Sequence, residues 1–261
     1  MNRSLWRGDE QIVSRKTLSA NKSFDVAIVG GGFSGLWSAY HLKQIQPSLN
    51  IAIFEKDYVG FGASGRNGGW ASAEYPTSSA RLIKEHGLAV YQNLRKSLIE
   101  SIDEIGQIAK SNNWQIEYAK GGSLVFATNN AQLNRISQGI DDEHNFLNTV
   151  EAKQLLNVKN IKGGLFTPHC AALNPFELTR ALARYLDDKG VEIFENSKVD
   201  QISDKKVVVN GFEIDCEISI RATEAFTARK WMKNQQIPIY SLMVATEPLT
   251  SDQLIQVRNM Q

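Results

Sequence analysis

At 261 residues, 42% of them hydrophobic and 22% charged, the chain has the apolar content of one large globular domain or two modest ones. Its 29 basic and 28 acidic side chains leave a net charge of +1, which excludes the basic footprint of a nucleic-acid-binding protein. The longest early apolar run, VAIVGGGFSGLW, is too short and too glycine-rich to cross a bilayer, and residues 1–24, polar and carrying Asp9 and Glu10, do not read as a signal or transit peptide.

In chain order, FDVAIV (24–29) reads as a strand buried on both faces of a parallel sheet. Gly30, Gly31, Gly32 and Gly35 follow, and LWSAYHLKQIQP then has helical spacing, stopped by Pro47. IAIFE (51–55) reads as a second buried strand that ends in an acid. The stretch GFGASGRNGGW (60–70) holds five glycines, a composition that neither a core strand nor a helix would use. Apolar residues from Leu82 to Ile108 recur at steps of three to four, so residues 77–112 are expected as one long helix or two.

WQIEYAKGGSLVFATN (114–129) alternates around Gly121-Gly122 and is expected as a β-hairpin. An exposed amphipathic helix is expected over 131–147, and a short helix opened by Thr149 over 149–157. Asn174 and Pro175 make a helix start, and that helix ends at Gly190. VEIFENSKVDQI (191–202) reads as one strand, and KKVVVNGFEIDCEISI as a hairpin turning at Asn210-Gly211. IPIYSLMVATEPL (237–249) is a further strand candidate. Cys170 and Cys216, far apart and without metal-ligand spacing, read as reduced, buried thiols. No metal site is expected, and the chain is expected to be cytoplasmic.

Gly30-x-Gly32-x-x-Gly35, with Phe33 and Ser34 inside it, is a weak motif alone. Here it follows a predicted strand, opens a predicted helix and has Glu55 twenty residues beyond, the context a dinucleotide fingerprint requires. Gly30 permits the tight turn, Gly32 lets backbone approach a pyrophosphate, and Gly35 lets helix and strand meet closely. The helix N-terminus offers amides and a positive dipole end to phosphate. Glu55, followed by Lys56, suits the hydroxyls of an adenosine ribose and would repel a 2′-phosphate. NAD and FAD both use this unit. The second glycine segment favours FAD, whose longer pyrophosphate and ribityl chain need more bare backbone. Gly62, Ala63, Ser64, Arg66, Asn67, Gly68 and Gly69 are its candidate contacts, Arg66 as a clamp near pyrophosphate or flavin and Asn67 as donor and acceptor.

VGGGFSGLWSAYHL followed by FEKDYVGFGASGRNGG resembles the FAD-dependent oxidoreductases related to D-amino-acid oxidase and glycine oxidase (the DAO family), and is most similar to the gamma-glutamylputrescine oxidase-like branch. EYAKGGSLVFAT resembles that branch's substrate-domain hairpin, and PHCAALNPFELTRALA its segment entering the next helix. The resemblance implies an adenine contact at Val199 and cofactor contacts at Ala222 and Thr223 in RATEAFT. It implies an α/β fold (α+β overall): a Rossmann-like FAD-binding domain with a parallel sheet over 24–112 and 174–236, and a discontinuous, mostly antiparallel substrate domain over 113–173 and 237–261. Family members are longer and carry a late glycine-rich segment over the flavin ring, so the chain is expected to be an N-terminal fragment or a shortened relative.

The expected activity is oxidation of the C–N bond of a small amine or amino acid. Oxidation of a 2-hydroxy acid, a non-catalytic flavin-binding module and an NAD-dependent dehydrogenase are the competing readings. No catalytic residue is assigned. His41 and His144 are expected to be structural. His86 and His169 are weaker candidates for a place near substrate, and Trp70 and Tyr75 are read as pocket edge or core.

Overall fold

The structure, a computed structural model, describes residues 4–8, 11–141, 143–227 and 237–258. The run FDVAIV lies in β1 (Lys22–Val29), whose last four side chains are all buried, as in a strand covered on both faces. α1 (Phe33–Ile45) starts after Gly32, takes in Gly35 and stops short of Pro47. β2 (Ile51–Phe54), buried at every position, lies parallel to β1, with Val26 opposite Ile51 and Val29 opposite Phe54. The βαβ unit is therefore as the sequence predicts.

β3 (Trp70–Ser72), α2 (Ser79–His86) and α3 (Leu88–Ser111) come next. The long apolar periodicity is two helices, broken at Gly87, whose N–H still donates to the Ile83 carbonyl at 2.8 Å. Then come β4 (Ser123–Ala127), α4 (Asn130–Ile136), β5 (Asn145–Leu147), α5 (Thr149–Leu155), β6 (Gly163–Thr167) and β7 (Cys170–Ala172). The expected 114–129 hairpin does not form. Ala119 exchanges backbone hydrogen bonds with Ala172, and Gly122 donates to Cys170, while β4 pairs antiparallel with β6. Alternation marked both segments as extended but could not name their partners. The helix expected over 131–147 is confined to α4, and β5 takes its end. α5 is capped by Asn148, one residue before the predicted Thr149, in a reciprocal capping box with Glu151.

α6 (Pro175–Asp188) has the predicted cap, Asn174 Oδ1 accepting from the Phe176 and Glu177 amides at 3.1 Å each. β8 (Glu192–Phe194) and β9 (Val199–Ser203) replace the single strand expected over 191–202. Asn196 sits between them at φ 51°, in the left-handed region, and breaks the extended run. β10 (Lys206–Val209) and β11 (Phe212–Arg221) form the predicted hairpin. Its turn residues Asn210 and Gly211 have φ of 50° and 84°, as a type I′ turn demands. α7 (Ser251–Arg258) lies near the end. The strand expected over 237–249 is absent: the segment lacks regular structure and Ile239, Leu242 and Val244 stay exposed, since an extended apolar run becomes a strand only beside a partner.

Two compact units emerge. The first is Met1–Gly69, Trp114–Ile116 and Asn174–Met243; the second is Trp70–Asn113, Glu117–Leu173 and Val244–Gln261. The first unit holds a six-stranded sheet in the order β8-β2-β1-β11-β10-β9, parallel from β8 to β11 and antiparallel beyond. Phe24, Phe54 and Phe194 centre one apolar face, the last two stacked 5.5 Å apart. The second unit holds the antiparallel sheet β4-β6-β5 and the pair β3-β7. The first boundary thus falls at Gly69, not at 112: β3 pairs with β7, and Ile102 of α3 is buried with Ala73 and Ala171. Residues 228–236 of the expected 174–236 segment and residues 259–261 of the expected 237–261 segment lie outside the described residues.

A charged cluster ties the second unit together. Buried Arg95 bonds to the Ala73 carbonyl and the Glu143 carboxylate, and His144 lies between Asp141 Oδ1 at 2.7 Å and Glu74 Oε1 at 2.9 Å. Burial pulls the His144 pKa down, but hydrogen bonds to Asp141 and Glu74 outweigh it and leave it above the usual 6.5. A raised histidine pKa contributes stability that is complete below 6.5 and is lost as pH rises through the folded-state value. Thermal melts against pH should show a decline in that window which His144→Asn flattens; an equal decline in the variant would assign it elsewhere.

Candidate cofactor site

The site lies in the first unit, where β1, β2 and β11 end at their carboxyl edge, the place open α/β sheets reserve for ligands. Gly30 leaves β1 at φ 113°, and its N–H donates to Phe54 O at 2.9 Å. A Cβ there would lie 2.4 Å from the Ala222 carbonyl oxygen, so the turn presses against the end of β11. At Gly35 a Cβ would sit 2.1 Å from Gly30 O and 3.2 Å from Ile28 Cγ2. Gly35→Ala is accordingly expected to cost about 1–3 kcal/mol by forced backbone displacement. Gly68→Ala, where no atom lies within 4 Å, should stay within about 0.5 kcal/mol. Urea unfolding of both variants checks this, and equal stability would remove the close approach at Gly35.

Glu55 follows β2 directly. Its Oε2 accepts from Gly31 N at 2.7 Å and its Oε1 from Asp57 N at 3.0 Å. Each carboxylate oxygen has a second lone pair, which leaves acceptor capacity for a ligand hydroxyl. Burial raises the Glu55 pKa above the usual 4.5. The Asp57 and Gly31 amides oppose that shift, and the charges of Asp57 and Glu195 add to it.

The second glycine segment folds over the first. Gly60 N donates to Gly31 O at 3.0 Å, and Ser64 Oγ accepts from Phe33 N at 2.9 Å, capping α1 from outside the helix. Among the amides of that first turn, those of Ser34 and Gly35 have no intrahelical acceptor and suit an anion. Asn67 shapes the loop from within, its Nδ2 donating to Ser64 O at 2.8 Å and its Oδ1 accepting from Gly69 N at 2.9 Å. Arg66 donates from Nε to Phe61 O and lies over the Phe61 ring, 4.6 Å from its centroid, with Nη2 buried and unpartnered.

These elements enclose a cleft of about 350 Å³, within the size range of small-ligand pockets. Of the predicted residues, Gly30, Gly32, Phe33, Ser34, Glu55, Lys56, Gly62, Ala63, Ser64, Val199, Ala222 and Thr223 line it. Gly35 lies beneath it, and Arg66, Asn67, Gly68 and Gly69 are absent from its wall. Asp57, Phe61, Lys198, Glu224 and Phe226 also line it and were not predicted. Glu224, at φ 42°, directly follows the flagged Thr223.

A family profile described as DAO, FAD dependent oxidoreductase, matches residues 25–260. The chain belongs to the DAO family. Among curated proteins, it is 28% identical over 244 residues to a probable oxidoreductase of Haemophilus influenzae, covering 87% of this chain and 56% of that protein. It is 26% identical over 252 residues to the gamma-glutamylputrescine oxidoreductase of Escherichia coli, covering 90% of this chain and 58% of that protein. The structure resembles glycine oxidase from Geobacillus kaustophilus with a TM-score of 0.66 at 23% identity, over 79% of this chain and 57% of that one. The chain thus spans somewhat more than half the length of these relatives. Its cofactor is FAD, and the bare backbone at Gly30, the α1 amides and the acid at Glu55 fit that group.

The histidines and aromatics fall as follows. His41 stacks on Trp37 with centroids 5.8 Å apart, and His86 is exposed beside Glu85. His169 is half-buried, with an unpartnered Nδ1. Trp70 and Tyr75 are exposed at 58% and 45%, so neither is core. Cys170 and Cys216 are buried thiols without a disulfide. No helix among the described residues is long and apolar enough to cross a membrane.

Proposed function

We propose that the protein oxidises the C–N bond of a small amine or amino acid in the cytoplasm. The observation that carries this reading is the cleft itself: a glycine turn and ribose-type acid roofed by a second glycine segment, in a chain of the DAO family. Bound FAD supplies the redox chemistry as acceptor of the substrate's hydride equivalent.

The chain's own residues bind and orient. The Ser34 and Gly35 amides and the α1 dipole receive pyrophosphate. Glu55 accepts from the adenosine ribose hydroxyls, with Lys56 at its side. Val199 offers backbone to the adenine. Ala222 and Thr223, where β11 ends beside Gly30, bring a further stretch of backbone to the cofactor. Ser64 closes the first glycine turn, and Gly62 and Ala63 approach without side chains that would collide. Arg66 and Asn67 hold the loop's shape through their bonds to the Phe61 and Ser64 carbonyls.

The test takes the full-length protein with its flavin, under anaerobic conditions, and offers primary and secondary amines, amino acids and 2-hydroxy acids. Bleaching of the flavin absorbance by an amine or amino acid is the expected result. Bleaching by hydroxy acids alone would overturn the substrate class, and a colourless protein that takes up no FAD would overturn the site.

A further inference from the structure

The glycine segment 60–69 is held by a stretch that precedes the βαβ unit and has no part in the dinucleotide motif. Buried Ser4 donates its hydroxyl to Gly65 O at 2.6 Å, and the Trp6 indole N–H donates to Asn67 O at 2.6 Å. The clasp is tied down in turn, because Asn174, the cap of α6, donates from Nδ2 to Trp6 O at 3.4 Å. The two bonds grip the residues on either side of Arg66. Asn67 also holds Ser64, whose hydroxyl closes the first turn of α1 and whose atoms line the cleft.

We propose that Ser4 and Trp6 are positioning residues that keep the glycine loop in its cofactor-binding shape and thereby slow the release of FAD. The physical reason is entropy. A loop this rich in glycine has few side chains to anchor it and much backbone freedom to lose on ordering. Bonds that order it before the cofactor arrives remove that cost from binding. Neither residue lines the cleft, so both act through the loop backbone.

The proposal rests on the cleft being the FAD site, and the test separates the two claims. In the full-length protein, FAD dissociation is timed by flavin fluorescence after dilution into an excess of an apo-flavoprotein that takes up FAD. Each lost neutral hydrogen bond should speed release about fivefold. Trp6→Phe, which keeps an apolar ring without the donor, and Ser4→Ala should both do so. Ser4→Thr retains a hydroxyl and should restore slow release. Lys16→Ala, which removes an exposed ion pair with Glu192 in the same upstream stretch, should leave release unchanged.

Wild-type release rates in Ser4→Ala and Trp6→Phe would overturn the proposal, as would equal acceleration in Ser4→Thr and Ser4→Ala. A wild-type protein that binds no FAD would defeat the site assignment and the clasp with it. If Ser4→Ala does not fold, Trp6→Phe alone decides by the same criterion, since its bond is exposed.

Discussion

Glu195→Gln is expected to lower the stability of the protein by about 3–5 kcal/mol, the cost of removing one partner from a buried charge cluster. Glu195 is fully buried, yet every contact of its carboxylate is a donor. Oε1 accepts from Arg180 Nη1 at 3.0 Å, from Val59 N at 3.0 Å and from Arg15 Nη1 at 3.3 Å, and Oε2 accepts from Arg15 N at 2.8 Å. Burial holds the Arg180 pKa below the usual guanidinium range, with the Arg15 charge adding to the shift and Glu195 opposing it. Glutamine keeps the volume but leaves the Arg180 guanidinium without its counter-charge, while Arg15 retains Asp187 Oδ2 at 2.7 Å. Glu192→Gln is the contrast: its partners Lys16 and Lys22 are solvent-exposed, and its loss should cost no more than about 1 kcal/mol. Urea unfolding of the apo protein measures both. Equal midpoints for the two variants would show that the buried cluster is no stronger than the surface one.

Glu55→Ala should weaken FAD binding by about 10- to 150-fold, the equivalent of roughly 1.5–3 kcal/mol for a charge-assisted hydrogen-bond acceptor. The fold should survive, since Glu55 lies beyond the end of β2. The pH dependence has two opposite signs. In the apo protein the raised Glu55 pKa contributes stability that is full below pH 4.5 and is lost as pH rises through the folded value. The proposed ribose contact needs the carboxylate, so affinity should fall as pH drops through that same value. Glu55→Gln should abolish both trends. Titration calorimetry across this range checks it, and an affinity in Glu55→Ala equal to wild type would end the ribose assignment.

What was legible in the sequence was what is local. The βαβ unit, the Asn174 cap and the Asn210-Gly211 turn are each encoded within a few tens of residues, and each is present. Misreadings arose where partner choice is long-range. Glu117, at φ 53°, interrupts the run before Gly121, and the partners of Ala119 and β4 are β7 and β6, some fifty residues away along the chain. IPIYSLMVATEPL has strand composition and no described strand beside it. Glu195 was hidden inside an apparent strand, because a left-handed Asn196 is not distinguishable from a strand residue by pattern. The Ser4–Trp6 clasp has no periodicity, and its acceptors are backbone carbonyls, which no motif can name. In the cleft, Ser64 was found as a loop contact, but its capping of α1 depends on a fold-back that spacing does not reveal.

β11 carries a consequence for biosynthesis. It pairs with β1 in parallel, Val26 lying opposite Ile218, so these neighbours are 192 positions apart in order of synthesis. β2 reaches the other side of β1 within about thirty residues. At a translation rate of roughly 5–20 residues per second, a nascent chain would therefore present one finished edge of β1 and one open, apolar edge for about 8–33 s. During that interval Ala222 and Thr223, which line the cleft, have not yet been made, so the cleft is incomplete. The ribosome-bound half-sheet is the state in which this protein is most exposed to mispairing, and the one that a chaperone would have to cover.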